Sequence, residues 1–116
     1  SLTEVRLRLG RLLLDEGKAR AAADHLAIFV EAHPDSLSGQ AMLAQALEAA
    51  GDLEGAEEAL RSAAQRYPEN PYHWQRLADF HERHGHSRKA QQARAAAEKA
   101  DPRRKRKLRP LPKSRR

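Results

Sequence analysis

The chain has 116 residues, a net charge of +6, no cysteine and only 4% aromatic residues. This length suits one compact domain, and the lack of cysteine excludes disulfides, thiol catalysis and cysteine-ligated zinc. No apolar run approaches the roughly 20 residues of a membrane span, and the alanine- and leucine-rich composition favours an all-α fold over a strand-rich one. A chain without cysteine also suits a reducing compartment, so we expect a cytoplasmic protein.

A 34-residue period runs along the chain. Five classes of position recur at this interval: a leucine, a small residue, a turn glycine, an alanine and a proline. They are Leu9, Leu43 and Leu77; Gly10, Ala44 and Ala78; Gly17, Gly51 and Gly85; Ala22, Ala56 and Ala90; and Pro34, Pro68 and Pro102. Such a period is typical of helical repeats. It predicts a domain over residues 1–102, with repeats at about 3–36, 37–70 and 71–104, and a separate segment over 103–116.

The first repeat begins with a helix that is unusually rich in leucine. Its apolar residues are too many for one buried stripe: Leu2, Val5, Leu7, Leu9, Leu12, Leu13 and Leu14. Some of them must be exposed unless something covers them. Two explanations stay open, further repeats before this one or self-association through this face. A somewhat larger core is the plainer alternative.

The second repeat carries the local signals of a helix, a tight turn and a second helix. Leu43 and Leu47 recur at helical spacing. Gly51 suits the left-handed position that ends a helix, and Asp52 can cap the next one. Pro68 then ends the second helix, because proline lacks an N–H and disfavours helix at the residue before it. The small residues of the repeat predict close approach of the two helix backbones.

The third repeat starts with the same kind of signal and then changes character. Asn70 and Pro71 read as a helix cap followed by a first-turn proline. Its second helix, however, carries Arg94 where the first two repeats have Leu26 and Leu60, and is otherwise rich in Ala, Gln, Lys and Arg. Such a face can meet water, so we expect the array to end here.

These residues resemble the tetratricopeptide repeat (TPR) family. The matching features are the leucine and small-residue pair, the alanine of the second helix and the proline that ends each unit. Trp74 falls where the family favours tryptophan, and Arg6 and Gln40 hold that place in the other repeats. The resemblance covers about residues 3–104. It implies a right-handed α-solenoid of six helices whose first helices line a concave groove, and hence a non-catalytic protein-interaction scaffold or adaptor.

The resemblance also implies which first-helix residues face the groove. They are Leu7, Arg8, Arg11 and Leu14 in the first repeat, Ala41, Met42, Gln45 and Glu48 in the second, and Tyr72, Gln75, Arg76, Asp79 and Arg83 in the third. One end of this set is apolar and the other carries mixed charge. An amphipathic helix or extended segment with an acidic group near Arg76 would fit it. Solvated helix faces are the alternative.

Two specialised functions of the family can be compared with this chain. Some members hold the terminal carboxylate of heat-shock chaperones in a Lys/Asn/Asn/Lys/Arg clamp. Four of the five corresponding positions depart from that pattern: Leu7, Arg11, Met42 and Tyr72. Only Arg76 matches, which argues against the clamp. A TPR-type secretion chaperone is a weaker alternative that would need an apolar groove at Leu7, Leu14 and Met42.

The chain ends in a basic tail. Residues 103–116 contain nine Lys/Arg and no acid, whereas the rest has 13 Lys/Arg against 16 Asp/Glu. Low apolar content and self-repulsion predict disorder. The anion-binding residues that we expect are Arg103, Arg104, Lys105, Arg106, Lys107 and Arg109. A module that binds RNA or an acidic surface through this tail is the alternative function, and a merely solvated tail is the simpler one.

The histidines and serines do not predict a metal or catalytic site. His81 and His84 are three residues apart on a helix and could face one ion. His81, however, occupies the register of Leu13 and Leu47, a packing position. The serines have no nucleophile-elbow glycines around them, and the glycines fall at the repeat's turns rather than in a phosphate-binding loop. We expect no cofactor and no catalysis.

Overall fold

The computed structural model of the chain describes residues 2–103, which contain six α-helices and no strand. The helices are α1 (Leu2–Asp15), α2 (Ala19–Ala32), α3 (Leu37–Ala49), α4 (Leu53–Arg66), α5 (Pro71–Arg83) and α6 (Ser87–Ala100). The all-α prediction is confirmed. The tail beyond Arg103, which the sequence predicts to be disordered, lies outside the described residues.

The three hairpin turns share one backbone arrangement. Gly17, Gly51 and Gly85 have φ angles of 78°, 84° and 75°, the left-handed region that glycine enters without a steric penalty. After each glycine, the next N–H donates to a carbonyl five residues earlier, as from Asp52 to Leu47 at 2.9 Å. Lys18 and His86 repeat this bond to Leu13 and His81, both at 2.8 Å. This is the Schellman arrangement, and it confirms the helix-ending role predicted for Gly51.

Side-chain caps begin three of the helices. The carboxylate of Asp52 accepts from the Gly55 N–H at 2.8 Å, and the Ser36 hydroxyl accepts from the Gly39 N–H at 3.1 Å. Asn70 accepts from the Tyr72 N–H at 3.0 Å, and Pro71 follows it in the first turn. The predicted caps at Asp52 and Asn70 are therefore confirmed. Each satisfies a backbone donor that the helix itself leaves unpaired.

The chain divides into two compact units, Ser1–Arg66 and Tyr67–Arg116. In the first unit α1 packs against α2, α2 against α3 and α3 against α4. Its core is built mainly from small and aliphatic side chains: Ala22, Ala23, Leu26, Met42 and Ala46, with Leu7, Leu13, Leu14, Leu43 and Leu47 packed against them. The alanines keep this core thin, so the helices approach closely.

Glycine allows two of these close contacts. A Cβ built on Gly10 of α1 would lie 2.6 Å from Cγ of Leu26, which is fully buried on α2. A Cβ on Gly39 of α3 would lie 2.6 Å from Cε1 of Phe29, also on α2. Both distances are too short for carbon atoms, so α2 inserts large side chains where its neighbours have none. The predicted close approach at Gly10 is confirmed.

The second unit is built from α5 and α6, which pack directly on each other. Its buried aromatic pair is Phe80 and His81, whose ring centroids are 5.5 Å apart in an edge-to-face arrangement. His81 is only 3% exposed, and its Nδ1 lies 3.2 Å from Nδ1 of His86. The structure therefore confirms His81 as a packing residue.

Candidate partner-binding face

The first unit presents its predicted contact residues in two different ways. Arg8 and Arg11 on α1 and Gln45 on α3 are exposed. Leu7 and Leu14 are only partly exposed, because they pack against the core cluster. The polar residues of the set are therefore accessible to a partner, while the two leucines already contribute to the core.

Met42 lies in the core. It is 8% exposed and belongs to the cluster that contains Leu26 and Ala46. The family register places it on the groove, but the small alanines beside it let α2 and α3 approach until the methionine fills the space between them. This burial leaves the apolar end of the predicted face with Leu7 and Leu14. It also removes a residue that a secretion-chaperone groove would need.

In the second unit the predicted residues follow one line along α5. Tyr72, Gln75, Asp79 and Arg83 are exposed, and Arg76 is partly exposed. Their spacing of three and four residues places them on one side of the helix. The line is therefore a continuous polar surface with a single aromatic ring at its amino-terminal end.

Tyr72 and Arg76 contact each other within this line. Nη1 of Arg76 donates to the Tyr72 hydroxyl at 3.3 Å, and the guanidinium carbon lies 5.6 Å from the ring centroid. A guanidinium over an aromatic ring gains from the ring quadrupole. The two side chains therefore stabilise each other's position on this exposed surface.

Arg94 is a participant that the sequence did not assign to the face. Its Nη2 donates to Oδ1 of Asp79 at 3.2 Å and also to a carboxylate oxygen of Glu82. The hydrogen bond to Glu82, and then that to Asp79, raise the pKa of the Arg94 guanidinium. The repeat register could have identified this residue from the sequence, because Arg94 is equivalent to Leu26 and Leu60, which are buried. The negative charge of Asp79 thus already has a cation beside it.

His73 lies beneath the same end of α5. It is buried, its ring stacks on that of Tyr67 at a centroid distance of 5.7 Å, and it meets the Tyr72 ring edge-on at 5.9 Å. Burial lowers the pKa of His73 below 6.5, and the positive charge of Arg76 lowers it further. The imidazole is therefore neutral at neutral pH and supports Tyr72 from below as a packing group.

The leucine-rich first helix exposes part of its apolar surface. Leu2 is 84% exposed, and Val5 and Leu12 are exposed as well. The expectation that α1 carries more apolar residues than its packing can cover is confirmed. Leu2, Val5, Leu9 and Leu12 share one side of the helix.

The basic tail is described only at its first residue. The Arg103 N–H donates to Oδ1 of Asp101 at 2.8 Å, and its Nη2 lies 3.2 Å from Oδ2 of the same carboxylate. The other predicted anion-binding residues lie outside the described range: Arg104, Lys105, Arg106, Lys107 and Arg109. Arg103 is thus paired with the carboxylate of Asp101.

No group of three or more His, Cys, Asp or Glu side chains within residues 2–103 is placed to hold a metal ion. None of the helices described has the length and apolar character needed to cross a bilayer.

Comparison with known proteins places these features in a family. The tetratricopeptide repeat model matches residues 7–71. A TPR repeat-containing protein of Pseudomonas aeruginosa is 46% identical over 55 residues, which make up 47% of this chain and 52% of that protein. This chain therefore spans about half the length of that relative.

Solved structures agree on the fold. A MamA fragment from Desulfovibrio magneticus RS-1 is similar with a TM-score of 0.68 and 22% identity, over 90% of this chain and 57% of that one. Another MamA structure, from MSR-1, has a TM-score of 0.69 and 23% identity, over 87% of this chain and 58% of that one. At this level of identity the likeness concerns the fold of TPR hairpins.

Proposed function

Because the chain belongs to the tetratricopeptide repeat family, we propose that it is a protein-interaction scaffold that binds a peptide or protein segment along its first helices. Members of this family are typically non-catalytic scaffolds. The observation that carries the proposal is the line of side chains on α5, where Tyr72 and Arg76 contact each other and Gln75, Asp79 and Arg83 are exposed beside them. Such a line offers hydrogen-bond donors and a ring at helical spacing.

The charges of both units favour a partner with acidic groups. Arg8 and Arg11 are exposed on α1, and Arg83 is exposed on α5. Asp79 has Arg94 beside it, which reduces its repulsion of an incoming acid. Arginine suits this role because its planar guanidinium donates two parallel hydrogen bonds to one carboxylate. We propose that the exposed arginines of each unit contact acidic or amide-bearing side chains of a partner.

The test is a charge reversal of the face with a matched reversal elsewhere. The 116-residue chain, immobilised through its amino terminus, is used to capture partners from a lysate of cells that express it. The double change Arg8→Glu with Arg11→Glu, and separately Arg83→Glu, should reduce capture at least tenfold. Arg88→Glu on α6, which changes the net charge by the same amount as Arg83→Glu, should not. Equal capture by wild type and by both face variants would contradict the proposal.

The basic tail supports a second candidate function, the binding of RNA or another polyanion. The observation that favours it is the run of nine Lys/Arg without an acid in residues 103–116. Phosphate contacts release counterions, so this binding should weaken steeply as salt increases. Removal of residues 104–116 should abolish binding to a mixed-sequence RNA and leave capture through the first helices intact. The cytoplasmic location expected from the sequence stays a prediction.

A further inference from the structure

The second and third repeats place different residues at one equivalent position. Gln40 and Trp74 are 34 residues apart, and both use a side-chain N–H in the same way. Gln40 donates to the carbonyl of Pro34, and Trp74 donates to the carbonyl of Pro68 at 3.0 Å. The glutamine thus reproduces the hydrogen bond of the indole without its volume.

A hollow lies beside each of these two residues. In the first unit it has a volume of about 470 Å³, within the size range of ligand pockets in proteins. In the second unit, where the indole of Trp74 forms part of the lining, the corresponding hollow is about 310 Å³. The two occupy the same place in the repeat, because four lining positions correspond at 34 residues: Pro34 and Pro68, Gln40 and Trp74, Ser62 and Ala96, and Arg66 and Ala100.

The larger hollow is lined mainly by apolar side chains, with Glu31, Ser62 and Arg66 as further polar members of its lining. Within the described residues, α2 and α4 both pack on α3 but not on each other, which leaves a gap between them. Val30 of α2, Leu43 of α3, and Ala59 and Ala63 of α4 line this gap. Such walls suit a flat apolar group that enters from solvent between the two helices.

One polar atom of Gln40, a residue that lines this hollow, lacks a partner. Gln40 is only 9% exposed, and its Oε1 is buried without a hydrogen bond among residues 2–103. Nε2 donates to the Pro34 carbonyl, so Oε1 is the group of this amide that is left as an acceptor without a donor. A buried acceptor without a donor is unfavourable. A ligand that supplies one N–H beside apolar surface would correct this.

We propose that the hollow between α2 and α4 binds the tryptophan side chain of a partner peptide. An indole combines a flat apolar surface with a single N–H donor, which matches the walls and the free acceptor. In the third repeat the residue equivalent to Gln40 carries an indole itself, and this indole lines the smaller hollow. The proposal includes a tilt of the Gln40 amide toward the hollow, which brings the buried Oε1 within reach of the indole N–H.

This pocket is separate from the first-helix face. Its walls come from α2, α4 and the side of α3 that bears Gln40 and Leu43, whereas the face uses Arg8, Arg11 and Gln45. The proposal therefore goes beyond the scaffold function and can be tested independently. A partner with a tryptophan would contact a second surface of the same unit.

The test is an NMR titration of the full chain with N-acetyl-tryptophanamide. Saturable shifts should appear at the amides of Val30, Leu43, Ala59 and Ala63, and not at Ala96 and Ala100 beside Trp74. N-acetyl-phenylalaninamide, which has no side-chain donor, should bind several-fold more weakly. Absence of saturation up to the solubility limit, shifts centred elsewhere, or equal affinity for the two probes would overturn the proposal.

Two variants exchange the residues that the second and third repeats place at this position, Gln40 and Trp74. Gln40→Trp should narrow the hollow, which is smaller beside Trp74, and weaken binding of the probe at least tenfold. The reciprocal Trp74→Gln should create a second site, with new shifts at Ala96 and Ala100. If Gln40→Trp does not give a folded spectrum, Ala59→Leu narrows the same hollow from α4 and should cause the same loss. Probe affinity at the wild-type level in the folded variants would refute the pocket.

Discussion

The two units of the chain use the same hairpin but place opposite chemistry at one position in it. In the first unit Leu26 is fully buried on α2, in contact range of Gly10. In the second unit Arg94 stands at the equivalent position of α6, exposed, and reaches back to Asp79 and Glu82 on α5. The turns that precede these helices are nevertheless alike, with the same positive φ and the same Schellman hydrogen bond.

This difference shows that the repeat period specifies the backbone conformation. Whether a position is buried or exposed determines which type of side chain suits it. The turn needs only a left-handed residue and two backbone hydrogen bonds, which neighbouring residues provide. The position of Leu26 and Arg94 depends on what covers it. A covered position favours an aliphatic side chain, and a solvated one accepts an arginine that pairs with nearby acids.

The largest expected effect is a difference in stability between variants at the equivalent positions Leu26 and Arg94. Leu26→Ala should lower the free energy of unfolding by about 2–5 kcal/mol, because it leaves a cavity in the core of the first unit. Arg94→Ala should leave the urea midpoint almost unchanged and reduce its dependence on salt, because exposed ion pairs contribute little and are screened. Urea unfolding at two salt concentrations measures both. Similar losses of unfolding free energy in the two variants would show that the two positions do not differ as proposed.

The second-largest effect on the free energy of unfolding should come from the contact between Gly10 and Leu26. Gly10→Ala should cost about 1–3 kcal/mol through overpacking, which outweighs the helix propensity gained from alanine. In a Leu26→Ala background the same change should be neutral or stabilising, because the clashing atoms are gone. A double-mutant cycle measured by urea unfolding provides the coupling energy. A coupling energy near zero would show that α1 and α2 move apart to accommodate the added methyl group, and would contradict the predicted clash.

The turns should respond alike in the two units. Gly51→Ala and Gly85→Ala should each cost about 1–2 kcal/mol, because an L side chain at φ near +80° is strained. A Cβ at either position would meet no atom within 4 Å, so the cost is conformational rather than steric. Thermal unfolding of the two variants compares them. A cost in only one unit would mean that the turns are not equivalent in energy.

The smallest expected effect is the pH dependence from His73. Burial, and then the charge of Arg76, lower the pKa of His73 in the folded state, so its protonation favours unfolding. Its stabilising contribution is complete above pH 6.5 and is lost as the pH falls below 6.5 toward the lowered folded pKa. Between pH 7.5 and 5.5, wild type should therefore lose more stability than His73→Phe. Equal losses in urea unfolding would contradict this assignment.

The sequence by itself was sufficient for the helices, the turns and the caps. The 34-residue period predicted the repeated hairpins, Gly51 the left-handed turn, and Asp52 and Asn70 the helix caps, and the structure confirms each of these. Their causes lie within a few residues, in φ preferences and in hydrogen bonds to neighbouring backbone groups. The register also identified His81 correctly as a packing residue.

Only the tertiary structure decided which side chains remain for a partner. Met42 is buried because alanines let α2 and α3 approach, and Arg94 pairs with Asp79 and Glu82 because α6 lies beside α5. The hollow beside Gln40 exists because α2 and α4 flank α3 without meeting. Each of these facts depends on the distances between packed helices, which no local sequence signal fixes. A repeat period sets the order of the helices, but the volumes of the side chains between them set those distances.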